Sequence, residues 1–401
     1  MKKGWQTKTL GDVCAFLNRG MSPAYLEKGG VCVLNQKCIR DHEVSYEPSR
    51  RHDSKAKKVA EERFIQLGDV LVNSTGTGTL GRVAQVHDEP EEPTTVDSHV
   101  TIVRPKPGLF HLDFFGYMLI VIEEAIKEAG EGCGGQTELA RSVLADRFSV
   151  RYPNALPEQQ RIVGILDSAF AGLATAKANA AKNLHNARAL FDSHLQAVFS
   201  QRGKGWVEKR LIDISQEFGR GKSRHRPRNE PKLYNGAYPF IQTGDISNAD
   251  HWLTAYTQTY SDLGLAQSRL WPKGTICIAI VGATVGETAI LDFEACFPDS
   301  VIGIVVNNQF ADNEYVEFLL QSFKALLKEK GKGTARDNIN LGTFENQRFP
   351  FPSLNHQKEI VTTLNSLHAK TQRLAAIYQS KLAALDALKK SLLHQAFSGA
   401  L

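Results

Sequence analysis

The chain has 401 residues, of which 42% are hydrophobic, and a formal net charge of +5. This length allows two or three domains with real cores. No apolar run approaches the roughly 18 residues that span a bilayer, and the charged start leads into no signal segment, so we expect a soluble, cytoplasmic protein that does not contact a membrane. Six cysteines without a Cys-x-x-Cys pair favour free thiols over a disulfide framework or a zinc site.

The predicted elements follow the same order in each half of the chain. Short β-type runs at 31–34, 69–72 and 100–103 precede a helical pattern over 110–128. In the second half, runs at 238–241, 275–281 and 301–306 precede a helical pattern over 315–328. Each globular part is therefore a mixed α and β domain of about 150 residues.

The two halves also share sequence motifs. The segment 4–13 returns as 205–214 in the form Gly-Trp-x-x-Lys-x-Leu-x-Asp followed by Val or Ile. The segment 156–163 corresponds to 354–361, and each opens a long helical pattern. A duplicated unit of this kind implies approximate two-fold symmetry within one chain, and two-fold symmetry matches double-helical DNA.

The long helical patterns carry apolar side chains at alternating steps of mostly four and three, which is typical of a coiled-coil seam. Some forty residues would span roughly 60 Å. We expect the two helices to pack antiparallel on each other, the alternative being that each lies on its own domain. The residues expected to pack in the seam are Ile162, Leu166, Leu173, Leu184, Ile360, Leu364, Leu374 and Leu385.

The predicted fold is thus α+β. Two similar mixed α/β globular domains are separated by two long helices packed as an antiparallel coiled coil, with a pseudo-two-fold internal repeat. The expected boundaries are 1–155 for the first domain, 156–202 for the first long helix, 203–353 for the second domain and 354–401 for the second long helix.

A glycine-rich segment, 76–81, matches the G-x-G-x-x-G fingerprint of dinucleotide sites. That fingerprint requires a helix to follow, whereas the residues after it are strand-like in both copies. The pattern therefore favours a glycine-rich β-turn over a nucleotide site. Such a turn is either a plain hairpin or a close approach to DNA, for which Thr75, Thr77, Thr79, Arg82 and, in the second copy, Thr284 would supply donors.

Basic and polar loops supply the other candidate DNA contacts. The segment 219–232 is rich in arginine and contains glycine and proline, which indicates a loop. Amide, hydroxyl and basic side chains can read base edges and hold phosphates, although exposed loops often look the same. The candidates are Arg19, Asn35, Gln36, Lys37, Arg40, Arg51, Lys55, Lys57, Arg220, Lys222, Arg224, Arg226, Arg228, Gln242, Thr243, Asp245, Ser247, Lys332 and Arg336.

The sequence offers no catalytic motif. It contains no Gly-x-Ser-x-Gly elbow, no Gly-x-x-x-x-Gly-Lys phosphate loop and no His-Glu-x-x-His pair. We therefore expect no catalytic residue, metal or cofactor in this chain.

The chain resembles the specificity subunits of type I restriction-modification systems throughout its length. The resemblance rests on the duplicated Gly-Trp motif, the glycine turn before a strand, the Leu-Pro-Glu-Gln-Gln-Arg-Ile-Val segment at 156–163 and the Ala-Phe-Ser-Gly-Ala-Leu ending at 396–401. The second copy departs from the pattern at Asn355 and His356, where the first has Pro157 and Glu158.

The resemblance implies two target recognition domains, each of which reads one half of a split double-stranded DNA target. The long helices would set the spacer and dock two methyltransferase subunits that carry S-adenosylmethionine and modify adenine. Restriction subunits would supply ATP- and Mg-dependent translocation and cleavage. The alternatives are a stand-alone DNA methyltransferase and a coiled-coil scaffold whose globular domains bind a ligand other than DNA.

Overall fold

The computed structural model describes residues 4–130, 138–201, 203–331 and 341–401. They form two compact units, which we call the first unit (1–180 and 380–401) and the second unit (181–379). Each unit therefore contains one globular part together with a stretch of each long helix.

Among the described residues, the globular part of the first unit contains short strands and three α-helices. The strands are β1 (Trp5–Thr9), β2 (Cys14–Arg19), β3 (Tyr25–Leu26), β4 (Val31–Leu34), β5 (Ile39–Arg40), β6 (Glu43–Val44), β7 (Arg50–His52), β8 (Val70–Asn73), β9 (Val83–Gln85), β10 (Thr94–Val96), β11 (Val100–Pro105) and β12 (Ser149–Pro153). The helices are α1 (Leu10–Val13), α2 (Leu112–Val121) and α3 (Glu123–Gly130).

The first long helix, α4 (Leu156–Ser200), leads to the globular part of the second unit. Its strands are β13 (Val207–Lys209), β14 (Ser215–Arg220), β15 (Tyr234–Phe240), β16 (Trp252–Leu253), β17 (Gln258–Tyr260), β18 (Leu270–Trp271), β19 (Ile276–Ala279), β20 (Thr288–Leu291), β21 (Ala295–Cys296), β22 (Val301–Val306) and β23 (Phe349–Phe351). Its helices are α5 (Thr243–Asn248), α6 (Asp262–Ala266), α7 (Asn313–Gly331) and α8 (Leu341–Glu345), and the second long helix is α9 (Leu354–Ser398).

The main sheet of each unit has the same strand order. It is β2-β11-β8-β9 in the first unit and β14-β22-β19-β20, extended by β16, in the second. A second sheet is β10-β4-β7-β3 in the first unit and β17-β15-β21-β18 in the second. Two-stranded ribbons, β1-β12 and β13-β23, precede the long helices. The repeat in the sequence is therefore a repeat of topology, which confirms the predicted fold class.

The main sheet is buried on both faces because alternate side chains point to opposite sides. In β8, Val70 and Val72 belong to the core that contains the helices, whereas Leu71 belongs to the core beneath the second sheet. In β19, Ile276 and Ile278 face one core and Cys277 faces the other. This two-sided burial explains why these strands read as continuous apolar runs.

The helix predicted over 110–128 is instead two helices, α2 and α3. The break lies at Ile122, whose ψ of 5° is not helical. It brings Glu123 to the main sheet, where the carboxylate accepts a hydrogen bond from the Val83 main-chain N–H and lies 2.6 Å from His42 Nε2. The prediction failed because the apolar spacing continues across the break.

The long helices run antiparallel within each unit. In the first unit, Arg161 donates to the Leu401 carbonyl, and Lys177 forms a 2.7 Å ion pair with Asp386. In the second unit, the ring of Phe191 lies 4.7 Å from that of His368. Position numbers rise along one helix as they fall along the other, as the two-fold relation between the halves of the chain predicts.

The predicted seam residues differ in burial. Ile162, Leu166 and Leu364 are fully buried, and Ile360 is nearly so. Leu173, Leu184 and Leu385 are half-buried. Leu374 is 41% exposed, and the adjacent Ala375 occupies the buried position instead. The seam at this level is thus formed by a small side chain.

A buried glutamine joins each long helix to its globular part. Gln159 accepts from the His111 N–H at 2.7 Å and donates to the carbonyls of Leu109 and Pro153. Gln357 accepts from the Asp312 N–H at 2.8 Å and donates to the Pro352 carbonyl. α9 therefore begins as α4 does, despite Asn355 and His356.

The far end of each long helix is held by apolar packing. Leu393, Ala396 and Phe397 of α9 belong to the helix-side core of the first unit. Phe191, Leu195 and Phe199 of α4 belong to the corresponding core of the second unit. Each globular part thus holds the beginning of one helix and the end of the other.

Gln159→Ala should lower the free energy of unfolding by about 2–4 kcal/mol, because it leaves one donor and two acceptors of a largely buried site without partners. Urea unfolding followed by circular dichroism measures the change. The matched control is Gln160→Ala, since Gln160 is exposed on the same turn and should change the value by less than about 0.5 kcal/mol. Equal effects of the two substitutions would contradict the assigned anchor.

His251 forms a buried ionic network in the second unit. Its Nδ1 lies 2.5 Å from Glu317 and its Nε2 lies 3.1 Å from Glu314, both on α7, and the ring stacks on Phe318. The neighbouring Asp250 pairs with His368 of α9. Burial lowers the pKa of His251, but the hydrogen bonds and charges of Glu317 and Glu314 outweigh it, so this pKa lies above its usual value of 6.5.

Because the folded pKa of His251 is raised, its stabilising contribution is complete below about pH 6.5 and is lost as the pH rises through the folded pKa. Thermal unfolding across pH 6–9 should therefore show a wild-type melting temperature that falls with rising pH. His251→Asn should reduce this dependence. The exposed His394, changed to Asn, is the control and should leave the curve unchanged; parallel curves for His251→Asn and wild type would refute the assignment.

Candidate nucleic-acid interface

In the first unit, the loops that carry predicted DNA contacts lie at one edge of the main sheet, namely the edge at which its strands end. In the antiparallel register, Thr101 pairs with Arg19 and Val100 pairs with Asn73, so β2 ends where β11 begins and β8 ends. The glycine turn between β8 and β9 and the turn before β11 therefore lie at one edge. We call this edge, in each unit, the strand-end edge.

The predicted polar loop and the glycine turn contact each other at this edge. Thr79 Oγ1 donates to Gln36 Oε1 at 3.4 Å, and Asn73 Nδ2 donates to the Gln36 carbonyl at 3.0 Å. Thr75 Oγ1 lies 2.6 Å from His99 Nδ1. The turn runs directly into β9, which confirms a glycine-rich turn rather than a dinucleotide-binding helix.

Several predicted contacts in the first unit have intramolecular partners. Arg19 pairs with Glu138 at 2.5 Å and donates to the Leu139 carbonyl, and Arg51 pairs with Glu92 at 2.6 Å. The Asn35 side chain accepts from the Lys37 N–H and donates to the Pro48 carbonyl, which makes it a structural cap.

The remaining candidates of this unit are either partly buried or exposed. Arg82 donates to the Gly78 carbonyl, and Lys57 donates to the Ser22 carbonyl next to the end of β2. The exposed side chains are those of Lys37, Arg40, Lys55, Lys57 and Thr77.

The second unit forms its strand-end edge with the same backbone bonds. The N–H of Gly20 donates to the Val100 carbonyl, as that of Gly221 does to Val301. A Cβ placed on Gly20 would lie 2.0 Å from the Val96 carbonyl oxygen, and one on Gly221 would lie 2.2 Å from that of Phe297. Glycine is required at both positions because the chain passes so close to its neighbour.

The basic loop 222–230 begins at this edge. Arg220, Lys222 and Arg224 are exposed, and none of them has an acidic partner among the residues described. Arg226 donates to the carbonyls of Ser223 and His225, while Arg228 pairs with Asp299 at 2.8 Å. The end of β14 and the basic loop that follows it therefore carry three positively charged side chains without an acidic partner among the described residues.

The polar loop of the second unit lies beside its glycine turn, because α5 packs against 282–284. Gln242 is exposed, and the Asp245 carboxylate caps α5 by accepting from the Gln242 N–H at 2.8 Å. Ser247 donates to the Gly244 carbonyl and Thr284 to the Val281 carbonyl. Thr243 is half-buried. The predicted Lys332 and Arg336 lie outside the described residues.

Two further residues at this edge, Thr257 and Gln258, are not predicted from the sequence. Gln258 Oε1 accepts a hydrogen bond from Gln242 Nε2 at 2.6 Å, and Thr257 Oγ1 donates to Asp245 Oδ1 at 3.0 Å. Thr257 lies in an exposed loop and Gln258 is the exposed first residue of β17, and neither belongs to a sequence motif. Only the pairing of Phe240 with Gln258 in neighbouring strands brings them to the edge.

Within the described ranges, no group of three or more His, Cys, Asp or Glu side chains is placed to hold a metal ion. No helix in that part of the chain is long and apolar enough to cross a membrane. The five described cysteines are free.

Comparison with known proteins agrees with this architecture. The family model described as type I restriction modification DNA specificity domain matches twice, at residues 2–183 and 203–380. A protein of Methanocaldococcus jannaschii assigned as the specificity subunit of the type I restriction enzyme MjaX is 21% identical, over 98% of this chain and 93% of its own length.

Two solved structures share the fold. One, from work on complex assembly and conformational transition of the type I R-M system, superposes with a TM-score of 0.79 at 18% identity and covers 100% of this chain and 99% of that chain. The other, the HsdS subunit from Thermoanaerobacter tengcongensis, gives 0.63 at 19% identity and covers 100% and 98%.

Proposed function

This chain belongs to the type I restriction modification DNA specificity family, and we propose that each of its globular parts reads one half of a two-part DNA target. The observation that carries the proposal is the strand-end edge. Both units form it with the same strand order and the same backbone bonds at Gly20 and Gly221, yet they present different side chains there. Two equivalent surfaces with unlike chemistry suit two different half-sequences.

DNA binding uses two kinds of contact, one to phosphates and one to base edges. Exposed cations such as Arg224 hold phosphates, which sets affinity and register without reading the sequence. Polar side chains beside the glycine turns, such as Gln36 and Gln242, reach base edges in the major groove. In the first unit, Arg19 pairs with Glu138 and Arg51 pairs with Glu92. These two cations therefore act mainly in stabilising the loops of that unit.

Catalysis would belong to partner subunits, with this chain as a non-catalytic guide acting in the cytoplasm. Two methyltransferase subunits would dock on the long helices and carry S-adenosylmethionine for methylation of adenine. Restriction subunits would use ATP and Mg for translocation and cleavage. The long helices would fix the number of unread base pairs between the half-sites.

Base-resolved mapping of methyladenine in cells with and without this gene tests the proposal. The expected result is a two-part motif with a fixed spacer that is methylated only when the chain is present. Methylation that does not depend on the chain would refute it. A purified chain that by itself transfers methyl groups from S-adenosylmethionine would favour a stand-alone enzyme instead.

Arg224→Ala should weaken binding to all duplexes by a similar factor and reduce the slope of log K against log salt by about 1, because one phosphate contact is lost. Fluorescence anisotropy at several salt concentrations measures both quantities. The matched control is Arg373→Ala, an exposed arginine on α9, which should leave the slope unchanged. A substitution at Arg224 that alters sequence preference but not the slope would contradict the phosphate role.

A further inference from the structure

We infer that Gln242 and Gln258 form a rigid amide pair that reads the adenine of an A·T base pair in the half-site of the second unit. This inference rests on the proposed function. The pair joins the end of β15 to the start of β17, where Phe240 and Gln258 are register partners. Gln242 Nε2 donates to Gln258 Oε1 at 2.6 Å, and both residues are exposed.

A closed ring of hydrogen bonds fixes the pair. The Gln242 main-chain N–H donates to Asp245 Oδ2, and Thr257, which precedes Gln258, donates to Asp245 Oδ1. The same carboxylate therefore positions both glutamines. Next to Thr257, the ring of Tyr256 packs edge-on against Phe293 at 5.1 Å. Preorganised side chains lose less conformational entropy on binding, which is what a recognition site requires.

The atoms left open match adenine. The bond within the pair uses Gln242 Nε2 and Gln258 Oε1, so Gln242 Oε1 and the Gln258 Nε2 amide are the acceptor and the donor through which the pair would contact a base. In the major groove, adenine presents the N6 donor and the N7 acceptor, whereas guanine presents two acceptors. A guanine would place an acceptor against Gln242 Oε1. The pair therefore favours adenine.

The location of the pair also fits contact with DNA. The Ile241 N–H donates to the Cys296 carbonyl, and the Lys222 N–H donates to the carbonyl of the next residue, Phe297. The main chain next to Gln242 and the first residue of the basic loop, Lys222, are thus both hydrogen-bonded to the segment formed by β21 and the residue after it. Phosphate-holding cations stand beside the base-reading amides, as recognition of a groove requires.

The first unit has different chemistry at the corresponding place. There Val33 of β4 pairs with Arg50 of β7, and the Asn35 side chain is held by the Pro48 carbonyl. An arginine therefore stands where the second unit has Gln258. The two half-sites should accordingly differ at this position.

The test is a selection of bound sequences from a random duplex library with the full chain and with Gln258→Ala and Gln242→Ala. Each variant should lose about tenfold of its preference for adenine at one position, in one half-site only, with the salt slope unchanged. The matched control is Gln309→Ala, an exposed glutamine in the loop between β22 and α7, which should keep the wild-type motif. Thermal unfolding checks that all variants fold.

The outcomes separate this inference from the proposed function. A wild-type chain that selects no two-part motif would refute the proposed function itself. If the wild type selects a motif and both variants retain it unchanged, the amide pair does not read a base. Uniform weakening at every position, or a loss of preference at a G·C pair, would also overturn the assignment to adenine.

Discussion

The buried glutamines Gln159 and Gln357 determine how each long helix leaves its globular part. The first turn of a helix has N–H groups without partners, and its entry into a folded domain has to satisfy nearby main-chain groups as well. A single amide side chain does this in both units, since it accepts from one N–H and donates to at least one carbonyl. An apolar side chain would leave these groups buried and unpaired.

This anchor explains why the two helix starts tolerate different sequences. Pro157 and Glu158 in one copy correspond to Asn355 and His356 in the other, and these positions lie outside the hydrogen bonds of the glutamine. His356 instead packs edge-on against Trp206 at 6.0 Å. The constraint falls on the glutamine and on the apolar positions that follow it, so the neighbouring residues are free to vary.

Much of the fold could be predicted because it depends on periodicity. The strands of the main sheet and the four-three pattern of the long helices follow from local side-chain spacing. The break at Ile122 and the exposure of Leu374 could not be predicted in this way. In the first case the apolar spacing is uninterrupted. In the second, Leu374 and Ala375 are adjacent apolar residues, so the spacing alone does not tell which of them is buried.

The candidate site was harder to predict because its distinctions depend on distant residues. Arg19 and Arg224 look alike in sequence, yet Arg19 pairs with Glu138, which lies more than a hundred positions away, whereas Arg224 is exposed. Gln258 is identified as part of the site only by its pairing with Phe240 in the neighbouring strand. Residue type predicts which side chains are able to bind DNA, but the fold decides which of them are already engaged.

The strand-end edge is where the sequence can change at least cost to stability. Both faces of the main sheet are buried, so a substitution within a strand disturbs one of two cores. A loop that joins strand ends has no such constraint beyond the close backbone contact at Gly20 or Gly221. The second unit accordingly accommodates the basic loop 222–230 without altering the order of its main sheet. Recognition chemistry can therefore vary at this edge while the helices and cores that support it stay the same.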